Sequence, residues 1–236
     1  MLKEGNTVTF TNRGAVGHHT IGDNYQSTAS SAFTSIYGTS NDPKAKGDRV
    51  RFGSWYIPEQ NQETYDCSHD FIELANSGSV DYPLEGARLY LIYGSKYTHS
   101  VEGTDGKTTN NQYLVNARVE KFILTGKIKA GSTYLIRGYK HTGKKSFVID
   151  VDSYDYELRN NSGLVSLQGV VGMILLNASD SPDISLTTQT YFNKDIYYLT
   201  SHVINKVETS NPDFNYKVRC DLIDCVALDD PTMFRV

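Results

Sequence analysis

The residue types best suited to chemistry in this chain fall in three short runs. The first, VIDVDSYDYE, holds Asp150, Asp152, Asp155 and Glu157. On a strand, Asp150 and Asp152 would project from one face about 7 Å apart, as in a calcium site or in a hydrolase or nuclease working through a metal. The run lacks the glycine and the bidentate glutamate of a calcium loop, and acidic residues on a strand edge also serve to discourage edge pairing. The second run, AVGHHTIGDNY, contains His18 and His19 with Asp23. Neighbours on a strand face opposite ways, so this pair reads as loop or interface histidines rather than shared metal ligands. In the third, Lys140, His141, Lys144 and Lys145 flank Thr142-Gly143. A basic hairpin tip of that kind meets phosphate or an acidic partner, or simply solubilises a turn. Tyr93, Tyr97 and Tyr139 are the aromatics expected to be exposed. With Lys140, Lys144 and Lys145 they form the candidate binding set for a glycan or nucleic acid.

No Ser or Cys sits in a nucleophile-elbow sequence and no Gly-rich phosphate loop occurs. Catalytic residues, a metal and a cofactor are therefore not expected. Cys67, Cys220 and Cys225 make an odd number in a long chain, which is not a disulfide framework. Cys220 and Cys225 have no histidine near them, so buried free thiols are the expectation over a zinc site. The sequons Asn160-Asn161-Ser162 and Asn177-Ala178-Ser179 matter only in a secretory setting.

Composition narrows the function classes. With 236 residues, 39% hydrophobic and 11% aromatic, the chain has material for a substantial core. A net charge of −4 argues against a dedicated nucleic-acid binder, which needs a basic footprint. No segment reaches the roughly 18 apolar residues of a membrane span. The opening MLKEGNTVTF lacks the apolar core of a signal peptide, so either the protein acts where it is made, including inside a particle assembled there, or the chain is a processed piece. Tyrosine, at 17 residues, suits strands and half-buried contact surfaces.

Elements must position these groups. In NTVTFTNRG, Val8 and Phe10 alternate with threonines, a strand with one buried face. Residues 14–48 are poor in aliphatics and dense in Ser, Thr, Gly and Asn, an arm that orders only against something else. A strand over 49–57 carries the single tryptophan, Trp55. The first 63 residues are thus read as strands plus an arm, 64–230 as the compact domain, and 231–236 as a tail. Within the domain, strands are expected at 70–75, 87–93, 119–125, 132–138, 147–151, 165–168, 173–177 and 218–228. Turn pairs such as Asp105-Gly106 and Ala130-Gly131 separate them. One segment breaks the pattern: over 193–207, Ile196, Leu199, Val203 and Val207 recur at helical spacing behind Asn193 as N-cap. A helical insertion is predicted there.

The stretch DFIELANSGSVDYPLEGARLYLIYG (70–94) places a strand, an Asn-Ser-Gly turn and a second strand within about 25 residues. Its order, F-I-E-L-x-N-x-G … V-D-x-x-L-x-G-x-x-L, resembles the opening of the lamin tail domain. VEKFILTGKIKAGSTYLIRG (119–138), DYELRNNSGLVSLQG (155–169) and LIDCVAL (222–228) resemble later segments of that family in the same order. The resemblance covers roughly residues 65–230. It implies an all-β, immunoglobulin-like β-sandwich and a non-enzymatic module that binds proteins, nucleic acid or polysaccharide, with no catalytic residues to carry over. The expected function is that of a structural or assembly protein contacting neighbouring subunits, a component of a virion or of an extracellular surface assembly. The alternative is a glycan- or nucleic-acid-binding recognition module.

Overall fold

The computed structural model describes residues 14–18, 50–58, 64–142, 144–180, 182–199, 204–206, 216–218 and 222–228. Two sheets dominate. The first has the order β1 (Gly14–His18), β2 (Val50–Pro58), β4 (His69–Asn76), β9 (Ser132–Lys140), β11 (Tyr156–Glu157). The second has the order β15 (Leu186–Tyr191), β16 (Lys194–Leu199), β7 (Thr108–Ile123), β6 (Arg88–Glu102), β14 (Val170–Leu176), β19 (Leu222–Ala227). Four small pairs complete the description: β3 (Thr64–Cys67) with β10 (Lys144–Ile149), β5 (Tyr82–Pro83) with β8 (Lys127–Ile128), β12 (Arg159–Asn160) with β13 (Gly163–Leu164), and β17 (Ile204–Lys206) with β18 (Tyr216–Val218).

Both sheets deliver side chains to one core. Phe52, Trp55 and Ile57 of β2, Ile72 and Leu74 of β4 and Ile136 of β9 meet Leu89, Leu91 and Tyr93 of β6 and Met173 and Leu175 of β14. The parity of the inward residues changes along β2, from Val50 and Phe52 to Trp55 and Ile57, because the register shifts between Phe52 and Trp55. A bulge of this kind turns the other set of side chains inward. The outer faces are covered as well. Tyr56, Cys67, Phe71, Leu135 and Val151 pack on the far side of the first sheet, and Tyr90, Ile92, Leu114, Ile174 and Ile184 on the far side of the second. Covering on both faces explains why β4 and β14 are buried throughout instead of alternating.

Several expectations need correcting. The described residues are all-β and contain no helix. Within the predicted helical insertion, Lys194–Leu199 and Ile204–Lys206 are strands; 200–203 and 207 lie outside the described residues. Asn193 is a turn residue, not an N-cap: Phe192 and Asn193 have φ of 52° and 57° between Tyr191 and its ladder partner Lys194. Two consecutive left-handed residues make the type I′ loop that matches strand twist, and the β-rich run Ile-Tyr-Tyr-Leu then follows as β16.

The predicted strand at 165–168 is a strap, because its donors go elsewhere. Val165 N–H bonds Leu158 O at 2.9 Å, and Leu167 N–H bonds the Asp70 carboxylate at 2.7 Å. The boundary expected at residue 64 does not divide the packing, since β2 lies between β1 and β4 and supplies core residues. Gly14–His18, read as part of the arm, pairs with β2 in this same chain. The predicted strand around Val8, the rest of the arm and the 231–236 tail lie outside the described residues.

Candidate functional site

The second sheet continues well beyond its core. The β6–β7 ladder runs on from Ser95↔Val115 to Glu102↔Thr108. At the junction, a Cβ on Gly94 would stand 2.5 Å from Leu114 Cδ1 and 3.2 Å from Val115 O. A side chain there would require the Leu114 methyl to move and the Val115 carbonyl to give by a few tenths of an ångström, and the ladder shifts register at this point, between Tyr93 and Ser95. Ile196 and Tyr197 of β16 pair with Val115 and Leu114, so the β15–β16 hairpin joins the extension, anchored by the fully buried Ile196.

Aromatic rings gather on this extension. Phe192 stacks on His99, with centroids 3.6 Å apart and planes within 17°. Tyr113 lies 6.0 Å and Tyr191 6.2 Å from Phe192, and Tyr97 lies 6.5 Å from His99. Tyr97 and Tyr113 face each other across the ladder. Tyr191 and Phe192 remain 46% and 47% exposed. A left-handed φ costs a side-chain-bearing residue about 1 kcal/mol, so Phe192 is held against a local preference. Its ring covers one face of His99 and leaves apolar area open to solvent. Rings placed this way suit a contact surface, apolar in body and able to hydrogen-bond at the tyrosine tips.

Beside the hairpin, a groove of about 340 Å³ is lined by Tyr90, Arg118, Lys121, Asp183, Ile184 and Leu186, among others. Asp183 accepts from Lys121 Nζ and from Tyr90 OH, each at 2.5 Å, and lies 3.4 Å from Arg88. The lysine, then the tyrosine, hold its carboxyl down at about 2. Burial, then the bond to Asp183, push the Tyr90 hydroxyl up to about 12. The carboxylate thus ties 182–186 across the face of β6 and β7.

A third group is closed to solvent. Asp70, fully buried, accepts from Leu167 N–H at 2.7 Å and Ser166 Oγ at 3.2 Å, and its other oxygen lies 2.6 Å from His141 Nε2. The two groups meet off the line of an aligned hydrogen bond. Tyr65 stacks on His141 at 3.8 Å. Nearby, Ser68 Oγ accepts Val151 N–H at 2.8 Å and lies 3.0 Å from His69 Nδ1. Burial first, then the charges of Arg137, Lys140 and His141, bring His69 down to about 4.

The residues proposed from sequence are dispersed. Tyr93 is buried, so it is not an exposed aromatic; its hydroxyl donates to Ser166 O at 2.9 Å and Arg118 lies over its ring at 3.7 Å. Tyr97 is half-buried on the extension. Tyr139 is 43% exposed and meets His141 edge-on at 5.8 Å. Lys140 is exposed at the end of β9. Lys144 and Lys145 begin β10, which runs parallel to β3 opposite Thr64 and Tyr65, so β10 does not pair back onto β9. His141, expected at that tip, is buried.

Asp150 and Asp152 lie in an irregular segment rather than on one strand face. Asp155 accepts Leu135 N–H at 2.7 Å, and Glu157 pairs with Arg137 at 2.6 Å. Among the described residues no three His, Cys, Asp or Glu side chains are grouped to hold a metal ion. Cys67 is a buried free thiol that burial, with Asp66 and Asp70, pushes up in pKa. His18 is in β1; His19, Asp23 and Cys220 lie outside the described residues. Among the described residues no helix is long and apolar enough to cross a membrane.

Sequence reasoning missed His99, Tyr113, Tyr191 and Phe192. Their signal was faint, since Thr and Asn surround them without apolar alternation. Compared with known proteins, the chain matches no family model and no curated protein.

Proposed function

We propose that this chain is a non-catalytic assembly protein, a lamin-tail-like β-sandwich of the immunoglobulin kind that works by contact with neighbouring subunits in a virion or surface assembly. Two sheets sharing one core support the sandwich. The observation that carries the contact role is the two-hairpin extension, which leaves the core and holds the rings of Tyr191 and Phe192 half exposed beside Tyr97, His99 and Tyr113. Keeping an aromatic residue at positive φ costs stability, and backbone strain of this sort clusters where a protein binds. Sedimentation of the full chain at micromolar concentration tests the reading. Wild type self-associates, and a Tyr191→Ser/Phe192→Asn variant, whose asparagine suits the turn, keeps its melting temperature but associates less. A strictly monomeric wild type contradicts the reading.

One observation favours glycan recognition as a second reading. The rings of Tyr97, Tyr113 and Tyr191 gather around His99 and Phe192, and each tyrosine carries a neutral hydroxyl, apolar faces with hydrogen-bonding tips that suit a sugar. Carbohydrate-array binding that the same double variant abolishes supports it; no binding by wild type excludes it.

A further inference from the structure

The six-stranded sheet ends on β15, and among the described residues no strand pairs with its outer side. Exposed edges are usually blunted by lysine, proline, a bulge or shortness, because their unpaired N–H and C=O groups template pairing with another chain. β15 has none of these devices. Its residues, Leu-Thr-Thr-Gln-Thr-Tyr, carry no charge, run without a register shift against β16, and are exposed from Thr187 to Tyr191. Other edges differ. β11 is two residues long, with Glu157 paired to Arg137 and Arg159. β19 carries Asp224, whose carboxylate accepts Phe52 N–H at 2.8 Å.

The hairpin dictates which backbone groups face outward. In a type I′ loop the closing residues, here Tyr191 and Lys194, form a hydrogen-bonded pair, and bonded pairs alternate along an antiparallel ladder. Thr187, Gln189 and Tyr191 therefore direct N–H and C=O to β16. Leu186, Thr188 and Thr190 direct theirs to the open side.

We infer that two copies of this chain join through β15, antiparallel about a two-fold axis at Thr188, into one continuous sheet. Only outward-facing residues can bond each other, which restricts the register. Centred on Thr188, it sets Leu186 opposite the partner's Thr190, Thr187 opposite the partner's Gln189, and Thr188 opposite its own symmetry mate. No like charges oppose, threonine pairs are favourable cross-strand neighbours, and about six backbone hydrogen bonds form. A two-fold contact uses the same surface on both copies and closes on itself. Tyr191 and Phe192 add apolar area at both ends of the seam. A single edge buries less than a standard interface of about 1,600 Å², so a dimer of micromolar or weaker affinity is expected.

This inference rests on the assembly reading and names the copy-to-copy contact within it. The test is sedimentation equilibrium of the full chain and of T188K, T188E and T188P. Thr188→Lys or Thr188→Glu puts like charges across the axis, and Thr188→Pro removes an outward N–H while sparing the β16 ladder. Each weakens dimerisation about tenfold or more, with the circular dichroism spectrum and melting temperature of wild type. Mixing T188K with T188E places opposite charges across the axis and restores a heterodimer. Wild-type self-association that all three variants retain overturns the β15 contact and leaves the assembly reading standing. A wild type that stays monomeric to about 100 µM removes both.

Discussion

Replacing Asp70 by alanine strands two buried groups at once. The Leu167 N–H loses its acceptor at 2.7 Å, and His141, 3% exposed, loses the carboxylate 2.6 Å from its Nε2. An orphaned buried polar group costs about 1–3 kcal/mol, and here a backbone N–H and an imidazole nitrogen both lose the carboxylate. The two overlap, because both describe the same missing carboxylate, so a loss of about 2–5 kcal/mol is expected. For a chain of this size that lowers Tm by on the order of 10 °C. Asp70→Asn keeps an acceptor for Leu167 and loses only the charge, so it costs less, about 1–2 kcal/mol. Urea unfolding of both variants, with a double-mutant cycle against His141→Gln, measures these terms. Contacting residues show coupling of about 0.5–3 kcal/mol. An Asp70→Ala variant within 1 kcal/mol of wild type, or additive effects in the cycle, refutes the reasoning.

Three further outcomes are expected. His69 is held neutral in the fold near 4, while the unfolded chain takes up its proton near 6.5. The unfolded state thus binds more protons in that window, and stability is complete above 6.5 and lost as pH falls towards 4, by about 3 kcal/mol at most; His69→Asn flattens the slope of unfolding free energy between about pH 6.5 and 5, and an unchanged slope contradicts this. A Cβ on Gly138 would stand 2.8 Å from Val165 O and 3.2 Å from Asp70 Cβ, so Gly138→Ala displaces the 165–167 strap and costs about 1–3 kcal/mol by thermal denaturation, where a neutral result contradicts the packing. Lys121→Met moves the Asp183 pKa from about 2 towards 3.8 in a carboxylate NMR titration, whereas no movement shows that Tyr90 and Arg88 suffice.

The framework strands were legible because they carry their own signal. Phe71, Ile72 and Leu74 in β4 and Met173 to Leu176 in β14 are apolar runs bounded by turn residues, as buried strands require, although β14 starts at Val170, ahead of the expected 173. The β6–β7 extension was not, because over Ser95 to Glu102 only Tyr97 and Val101 relieve a polar run, and Thr108 to Gln112 is polar throughout, too weak a period-two contrast to mark a strand. Tyr93 was misplaced as exposed although it ends the run Leu89 to Tyr93; its hydroxyl finds Ser166 O, which lets a tyrosine go fully inside. The helical spacing of Ile196 and Leu199 was genuine but uninformative, since the paired positive φ of Phe192 and Asn193 decided the local structure. Asp70 and His141 meet only through β4 and the end of β9, a long-range pairing that no local motif announces.

Amide hydrogen exchange on the full chain, compared between about 1 µM and 100 µM, tests most directly the claim that the protein works through contact between copies. Leu186, Thr188 and Thr190 should gain protection with concentration, while Thr187 and Gln189, already bonded to β16, stay as they were. Exchange at all five amides that is independent of concentration contradicts the claim.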